Sequence, residues 1–203
     1  MSKKTNFFWA SYADLMTSLF FIMLVLFVLT IAMMKRQQKA TVEQLKRIVE
    51  IQNSVKELDK RYFYYQDEYK RFSLKKQIQF DPAKSTIKPE YKEYLLEVGR
   101  NIESLIKRLQ TKYQNNDIKY MIIIEGMSSN DNYKYNDELS YQRALSLLKL
   151  WNQSSIYFDP TFCELQIAGS GTKGVGRFEG IKNEYKNQQF LIQIIPKIGK
   201  IEN

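Results

Sequence analysis

The chain has 203 residues, with 31 Lys plus Arg against 22 Asp plus Glu, for a formal net charge of +9. It contains no histidine and one cysteine, Cys163. Those counts exclude Ser-His and Cys-His catalysis, histidine metal sites, an internal disulfide and a cysteine-type zinc cluster. A hydrophobic fraction of 44% is enough to build a core, and the length allows one ordinary domain with something attached. No metal and no cofactor is expected, and no nucleophile, base and oxyanion donor can be assembled from the motifs present, so an enzyme is the least favoured class.

Residues 1–6 form a polar tail, and residues 7–34 read as a membrane helix. From Leu15 to Met34 the run LMTSLFFIMLVLFVLTIAMM carries no charge, Gly or Pro. About 20 such residues cross a bilayer's hydrocarbon core as a helix. Trp9 and Tyr12 stand where interfacial aromatics are expected, and Lys35 and Arg36 stop the run. The competing reading, a cleaved signal peptide, calls for a shorter run and a small-residue cleavage site. Basic residues flank both ends (Lys3 and Lys4; Lys35, Arg36 and Lys39), so charge counting gives no clean orientation and, taken literally, leans toward the C-terminal side inside, a weak signal because long domains translocate regardless of charge. Asp14 lies roughly two turns inside the expected helix, with Ser11, Thr17 and Ser18 on its face. A carboxylate at that depth is costly and marks an ion or proton path; the alternative is a helix cap at headgroup level.

Residues 35–76 are expected to form a helical stalk, because no Gly or Pro occurs between Arg36 and Asp81. Ile48, Val55, Tyr62 and Tyr69 recur every seven residues, and Ile51, Leu58, Tyr65 and Phe72 follow each by three. This spacing predicts a coiled-coil seam, and with it a parallel homodimer; an amphipathic helix packed on its own domain is the alternative. Lys35–Lys76 holds 12 basic and 6 acidic residues, so it contributes +6 of the net +9. Beside a membrane span, such charge suits a solvated face or anionic lipid better than direct nucleic-acid contact.

Residues 77–198 read as an α/β sandwich, with 199–203 as a tail. IQFDPAKSTIKPEY suggests a short strand, a turn and a Pro-Glu helix start. Leu95, Val98, Ile102, Leu105, Ile106 and Leu109 then recur at helical spacing. Tyr120–Glu125 predicts a buried strand, Asn136–Trp151 a second helix, Glu164–Ala168 a further strand and Phe190–Ile195 the last. The fold class is α+β: an N-terminal transmembrane helix, a helical stalk, and helices packed on one sheet.

FDPAKSTIKPEY and GMSSNDNYKYNDELSYQRALSL resemble the opening and the signature of the OmpA-like domain. The likeness runs from about Lys76 to Pro196 and is strongest at Tyr135, Asn136, Leu139, Ser140, Arg143 and Ala144. It implies non-covalent peptidoglycan binding by Tyr135, Asn136, Leu139 and Arg143, with the Arg143 guanidinium gripping a stem-peptide carboxylate in two hydrogen bonds. The family's Thr-Asp after the strand Gly is replaced by Met127-Ser128-Ser129, with Asp131 the nearest stand-in. Its late Asn-Arg-Arg reads Asn187-Gln188-Gln189 here.

FFWASYADLMTSLFFIMLVLF resembles the membrane segment of MotB-like stator B subunits, in the form found in Zorya anti-phage systems. The two motifs in this order extend the resemblance over nearly the whole chain. It implies a homodimer inside a ring of MotA-like A subunits, five in number, with Asp14 as the proton-carrying acid. It also implies an inner-membrane, single-pass protein with the N-terminus cytoplasmic and the C-terminal domain periplasmic.

Overall fold

The structure, a computed structural model, describes residues 5–113 and 118–198. It divides into an N-terminal unit up to Arg47 and a C-terminal unit from Ile48 onward. Helix α1, Thr5–Val55, supplies the whole described part of the first unit and the opening of the second. Its stretch Phe8–Lys39 is long and apolar enough to cross a membrane, and its side chains are exposed throughout. The hydroxyls of Thr17 and Thr30 donate to Ala13 O and Leu26 O at 2.7 Å, so these two hydroxyls are satisfied within the helix.

The C-terminal unit departs from the expected stalk. Helix α1 ends at Val55, and two short strands follow, β1 (Phe63–Gln66) and β2 (Arg71–Leu74), paired as an antiparallel hairpin. Val55 and Leu58, expected in a self-paired seam, are instead buried in their own domain's core. Ile48 and Ile51 remain in α1, whereas the seam positions Tyr65 and Phe72 belong to the hairpin, as cross-strand partners with ring centroids 4.8 Å apart. Aromatic residues favour a pleated surface, and Lys70 turns the chain with φ at 51° without any Gly or Pro to announce it.

Helix α2 (Pro89–Lys112) starts on its Pro-Glu pair, as the sequence predicts. Strand β3 (Ile118–Gly126), helix α3 (Asn136–Gln153), strand β4 (Cys163–Gly169), a 3-10 helix (Ile181–Asn187) and strand β5 (Phe190–Ile198) complete the unit. The strand expected at Ile78–Phe80 is absent. Its apolar side chains are buried, but its backbone runs outside the sheet, and Phe80 N donates to the Gln188 side chain at 3.2 Å rather than to a strand.

The sheet order is β1-β2-β5-β3-β4. Only β3 and β4 run parallel, which requires the α3 crossover between them. Tyr120, Ile122 and Ile124 of β3 share one core with Leu95, Val98 and Ile102 of α2 and with Ala144, Leu147 and Trp151 of α3. The two helices therefore cover one face of the sheet, as expected. They also lock to each other: Trp151 Nε1 donates to Leu95 O at 2.9 Å, and the indole lies against Gly99, where a Cβ would stand 2.7 Å from Nε1. On the opposite face Arg71, 1% exposed, donates to Gln66, to Glu125 and to Val175 O, tying the segment after β4 across the sheet.

Candidate functional site

The ends of β3 and β4 seat helix α3. Gly126 and Gly169 are register partners. A Cβ on Gly126 would meet Ser140 O at 2.1 Å, and one on Gly169 would meet Tyr141 N at 2.5 Å. Only bare backbone lets α3 approach this closely. Ser140 Oγ then donates to Asp137 O at 2.7 Å and accepts from Gly171 N at 2.9 Å, joining the helix to the loop after β4.

Asn136 is buried at the first turn. Its Nδ2 donates to Asp131 Oδ1 at 2.8 Å and to Tyr133 O at 3.0 Å, while Ser128 Oγ donates to its carbonyl. Asp131 Oδ1 also accepts from Tyr133 N at 2.9 Å. Asn136 and Asp131 thus organise the loop entering α3.

Arg143, two turns on, is 3% exposed. Its Nε donates to Lys84 O at 3.3 Å and Nη1 to Met127 O at 3.5 Å, and its guanidinium lies 4.4 Å from the Phe80 ring centroid. Among the described residues Arg61, Arg71, Arg100, Arg108 and Arg177 have carboxylate partners within salt-bridge reach, and Arg143 is not one of them. Burial pulls its pKa down to about 10, and the Asp131 carboxylate opposes that pull. The guanidinium therefore stays charged at neutral pH while held by two long bonds to carbonyls and one aromatic face. Such a group favours an incoming carboxylate, which can take two parallel N–H donors.

Of the five expected residues, Asn136, Leu139 and Arg143 lie on α3 and Tyr135 stands at its N-cap. Leu139, buried, and Tyr135, about half exposed, line an open hollow of ≈ 380 Å³ with Tyr133, Glu138 and Gln142. Asn136 and Arg143 do not line it; they lie in the packed structure behind. Asp14 belongs to the other unit and is exposed there. Because α1 begins at Thr5, Asp14 sits inside the helix and does not cap it. The neighbouring Ser18 hydroxyl donates back to Leu15 O at 2.9 Å.

Several residues around Arg143 escaped the sequence reading. Phe80 stacks on the guanidinium, and its place in FDPAK was the available signal. Gln188 bridges two loops: its Oε1 accepts from Phe80 N, and its Nε2 donates to Ser129 Oγ at 2.9 Å. Arg177 donates from Nη1 to Ser128 O at 2.9 Å and from Nη2 to Glu184 at 2.8 Å. Nothing in the local pattern of Arg177 marks that role. Cys163 is buried, which pushes its thiol up to about 12 and leaves it unreactive. Among the described residues no group of three or more Cys, Asp or Glu is placed to hold a metal ion.

Neither a protein-family model nor a curated protein matches the chain. Similar solved structures include the periplasmic domain of MotB, residues 64-256, at 18% identity and a TM-score of 0.45 over 65% of this chain and 66% of that one. Another is the periplasmic domain of Helicobacter pylori MotB, residues 97-256, at 20% identity and a TM-score of 0.46 over 65% and 86%. A third is the peptidoglycan-associated lipoprotein of Burkholderia pseudomallei, at 12% identity and a TM-score of 0.38 over 59% and 88%. The chain thus spans just under two thirds of the first of these. At such identities the roles of individual residues rest on their own geometry.

Proposed function

We propose that the chain is the wall-anchored B subunit of an ion-driven stator in the bacterial inner membrane, of the ZorB kind that serves anti-phage defence. The observation that carries this reading is Asp14, a carboxylate well inside a bilayer-length helix. An acid at that depth is a functional group by default, because its charge is costly unless a partner or a passing cation neutralises it. Protonation of Asp14 removes that charge and changes which surrounding contacts are favourable. Each charge crossing the membrane releases ~2.3 kcal/mol per 100 mV, enough to bias a step between closely spaced minima.

The other half of the mechanism is the C-terminal unit. Arg143, charged and without a carboxylate partner among the described residues, is suited to hold a stem-peptide carboxylate of peptidoglycan. Anchored there, a dimer of this chain stays still while a ring of five A subunits turns about its paired helices. The N-terminus is cytoplasmic and the domain periplasmic in this arrangement. The dimer, the ring, the proton and the defence role come from the family resemblance of the two motifs.

Asp14→Asn tests the reading. The expected result is intact membrane assembly with phage protection lost; protection retained at normal expression removes the motor. Loss of swimming in place of phage protection would identify a flagellar MotB-type stator instead. A TolR-like transducer is expected to show no retention of the chain on isolated sacculi.

A further inference from the structure

Arg143 suits a carboxylate, but at 3% exposure its guanidinium is closed to any ligand in this conformation. A part of its surroundings must move before it can bind one. Three groups meet the guanidinium: the Phe80 ring, Met127 O and Lys84 O. Two of them are fixed. Phe80 is buried, packs its ring 5.8 Å from that of Phe190, and donates its backbone N–H to Gln188. Met127 is fully buried, and its N–H donates to Gln189 O at 3.0 Å. Lys84 is held far less firmly. It belongs to the loop 81–86, which runs between buried Phe80 and buried Ile87 and is exposed except at half-buried Ser85. Among the described residues, the one hydrogen bond tying this loop to another element runs from Arg143 Nε to Lys84 O, and at 3.3 Å it is long. The ion pairs of Asp81 with Lys84 and Lys88 lie at the surface, where such pairs contribute little.

The loop is also strained in its closed form. Asp81-Pro82-Ala83-Lys84 forms a turn closed by Lys84 N donating to Asp81 O at 3.0 Å. Turns with Pro at the second position and φ > 0 at the third usually place Gly there. Here the third residue is Ala83, with φ at 55°. A Cβ is disfavoured in that region, and opening the turn releases the strain.

We propose that the loop 81–86 is a hinged cover over Arg143, closed in this structure, which swings open between its anchors Phe80 and Ile87 to admit a carboxylate ligand. The cover rests on the wall reading only for the source of that ligand. It makes attachment conditional: the free chain is mostly closed, and the ligand draws the population open. Apparent affinity is reduced by the fraction of chain that is open, so a change that destabilises the closed turn tightens binding.

The detergent-solubilised full chain is treated with phenylglyoxal, and modification of each arginine is followed by peptide mass spectrometry. Arg108, with 63% of its side chain exposed, marks the unprotected rate. Arg71, 1% exposed on the far face of the sheet, marks global unfolding. Arg143 is expected to react at least about tenfold more slowly than Arg108, yet faster than Arg71, as local opening requires. Ala83→Val puts a β-branched residue at positive φ and is expected to speed Arg143 about fivefold, whereas Ala83→Asn, tolerated there, slows it about twofold. Ala83 is exposed, so both variants keep the fold and leave the Arg71 rate unchanged. Arg143 reacting as fast as Arg108, Arg143 and Arg71 reacting in step, or one Arg143 rate in all three chains overturns the cover. Calorimetry of the same chains with the tripeptide L-alanyl-D-glutamyl-meso-diaminopimelate separates the two readings. Tripeptide binding about fivefold tighter in Ala83→Val than in wild type is the expected result. Equal tripeptide affinity in all three chains overturns the cover and leaves the wall contact. Graded Arg143 labelling with no tripeptide binding supports the cover and removes the wall contact.

Discussion

At the scale of single residues, Arg143 separates binding from stability. Its two carbonyl contacts, at 3.3 and 3.5 Å, are long for N–H···O bonds and contribute little. Arg143→Met keeps an unbranched side chain against Phe80 and removes a buried charge, a change that is often neutral. We expect it to shift stability by no more than about 1–2 kcal/mol while retention on isolated sacculi is lost. A thermal melt paired with a pull-down checks both. The pH dependence has a definite sign. Arg143's pKa is lowered from 12.5 to about 10, so the guanidinium is protonated in folded and unfolded chains alike between pH 7 and 9. Retention should be flat over that window and fall above pH 10, where the folded state releases the proton. Between about pH 10 and 12.5 the unfolded chain binds more protons, so this group's contribution to stability rises there as binding fails.

At the scale of elements, the seat of α3 is set by two glycines. Gly126→Ala would place a Cβ 2.1 Å from Ser140 O, a backbone atom that cannot swing aside, so α3 must lift off β3. The expected cost is about 3 kcal/mol or more in chemical denaturation. Gly180 is the control: nothing lies within 4 Å of its Cβ position, but its φ is +86°, so Gly180→Ala should cost only about 1 kcal/mol through backbone strain. Helices α2 and α3 and strands β3, β4 and β5 were legible because each carries a clear apolar period and punctuation at its ends. The β1–β2 hairpin was not. Its turn, Asp67 to Lys70, lacks Gly and Pro, and its aromatic residues happened to satisfy a seven-residue spacing. What decided between helix and hairpin was the partner surface: β2 finds β5, with Phe72 opposite Ile192, a pairing between residues far apart in sequence.

At the scale of the whole molecule, the two units have different boundaries from those the sequence suggests. A domain starting at residue 77 would omit Val55, Leu58, Phe63 and Phe72 from the core and Arg71 from the far face of the sheet. A fragment beginning at Ile48 is therefore expected to be soluble and to unfold in one cooperative transition. A fragment beginning at Gln77 should bind a dye for exposed apolar surface and melt at least about 10 °C lower, since several kcal/mol of burial are missing. Equal melting of the two fragments would return the hairpin to the stalk. The sequence by itself determined the membrane-length helix, the acid inside it, the α/β class of the domain and the placement of Asn136, Leu139 and Arg143 on one helix, because runs and periods are local properties of the chain. Only the tertiary structure decided that the aromatic half of the stalk is sheet, that Arg143 is buried against Phe80 without a carboxylate, and that Tyr133, Glu138 and Gln142 join Tyr135 around a hollow. Those outcomes depend on which distant segments meet, and no local period records that.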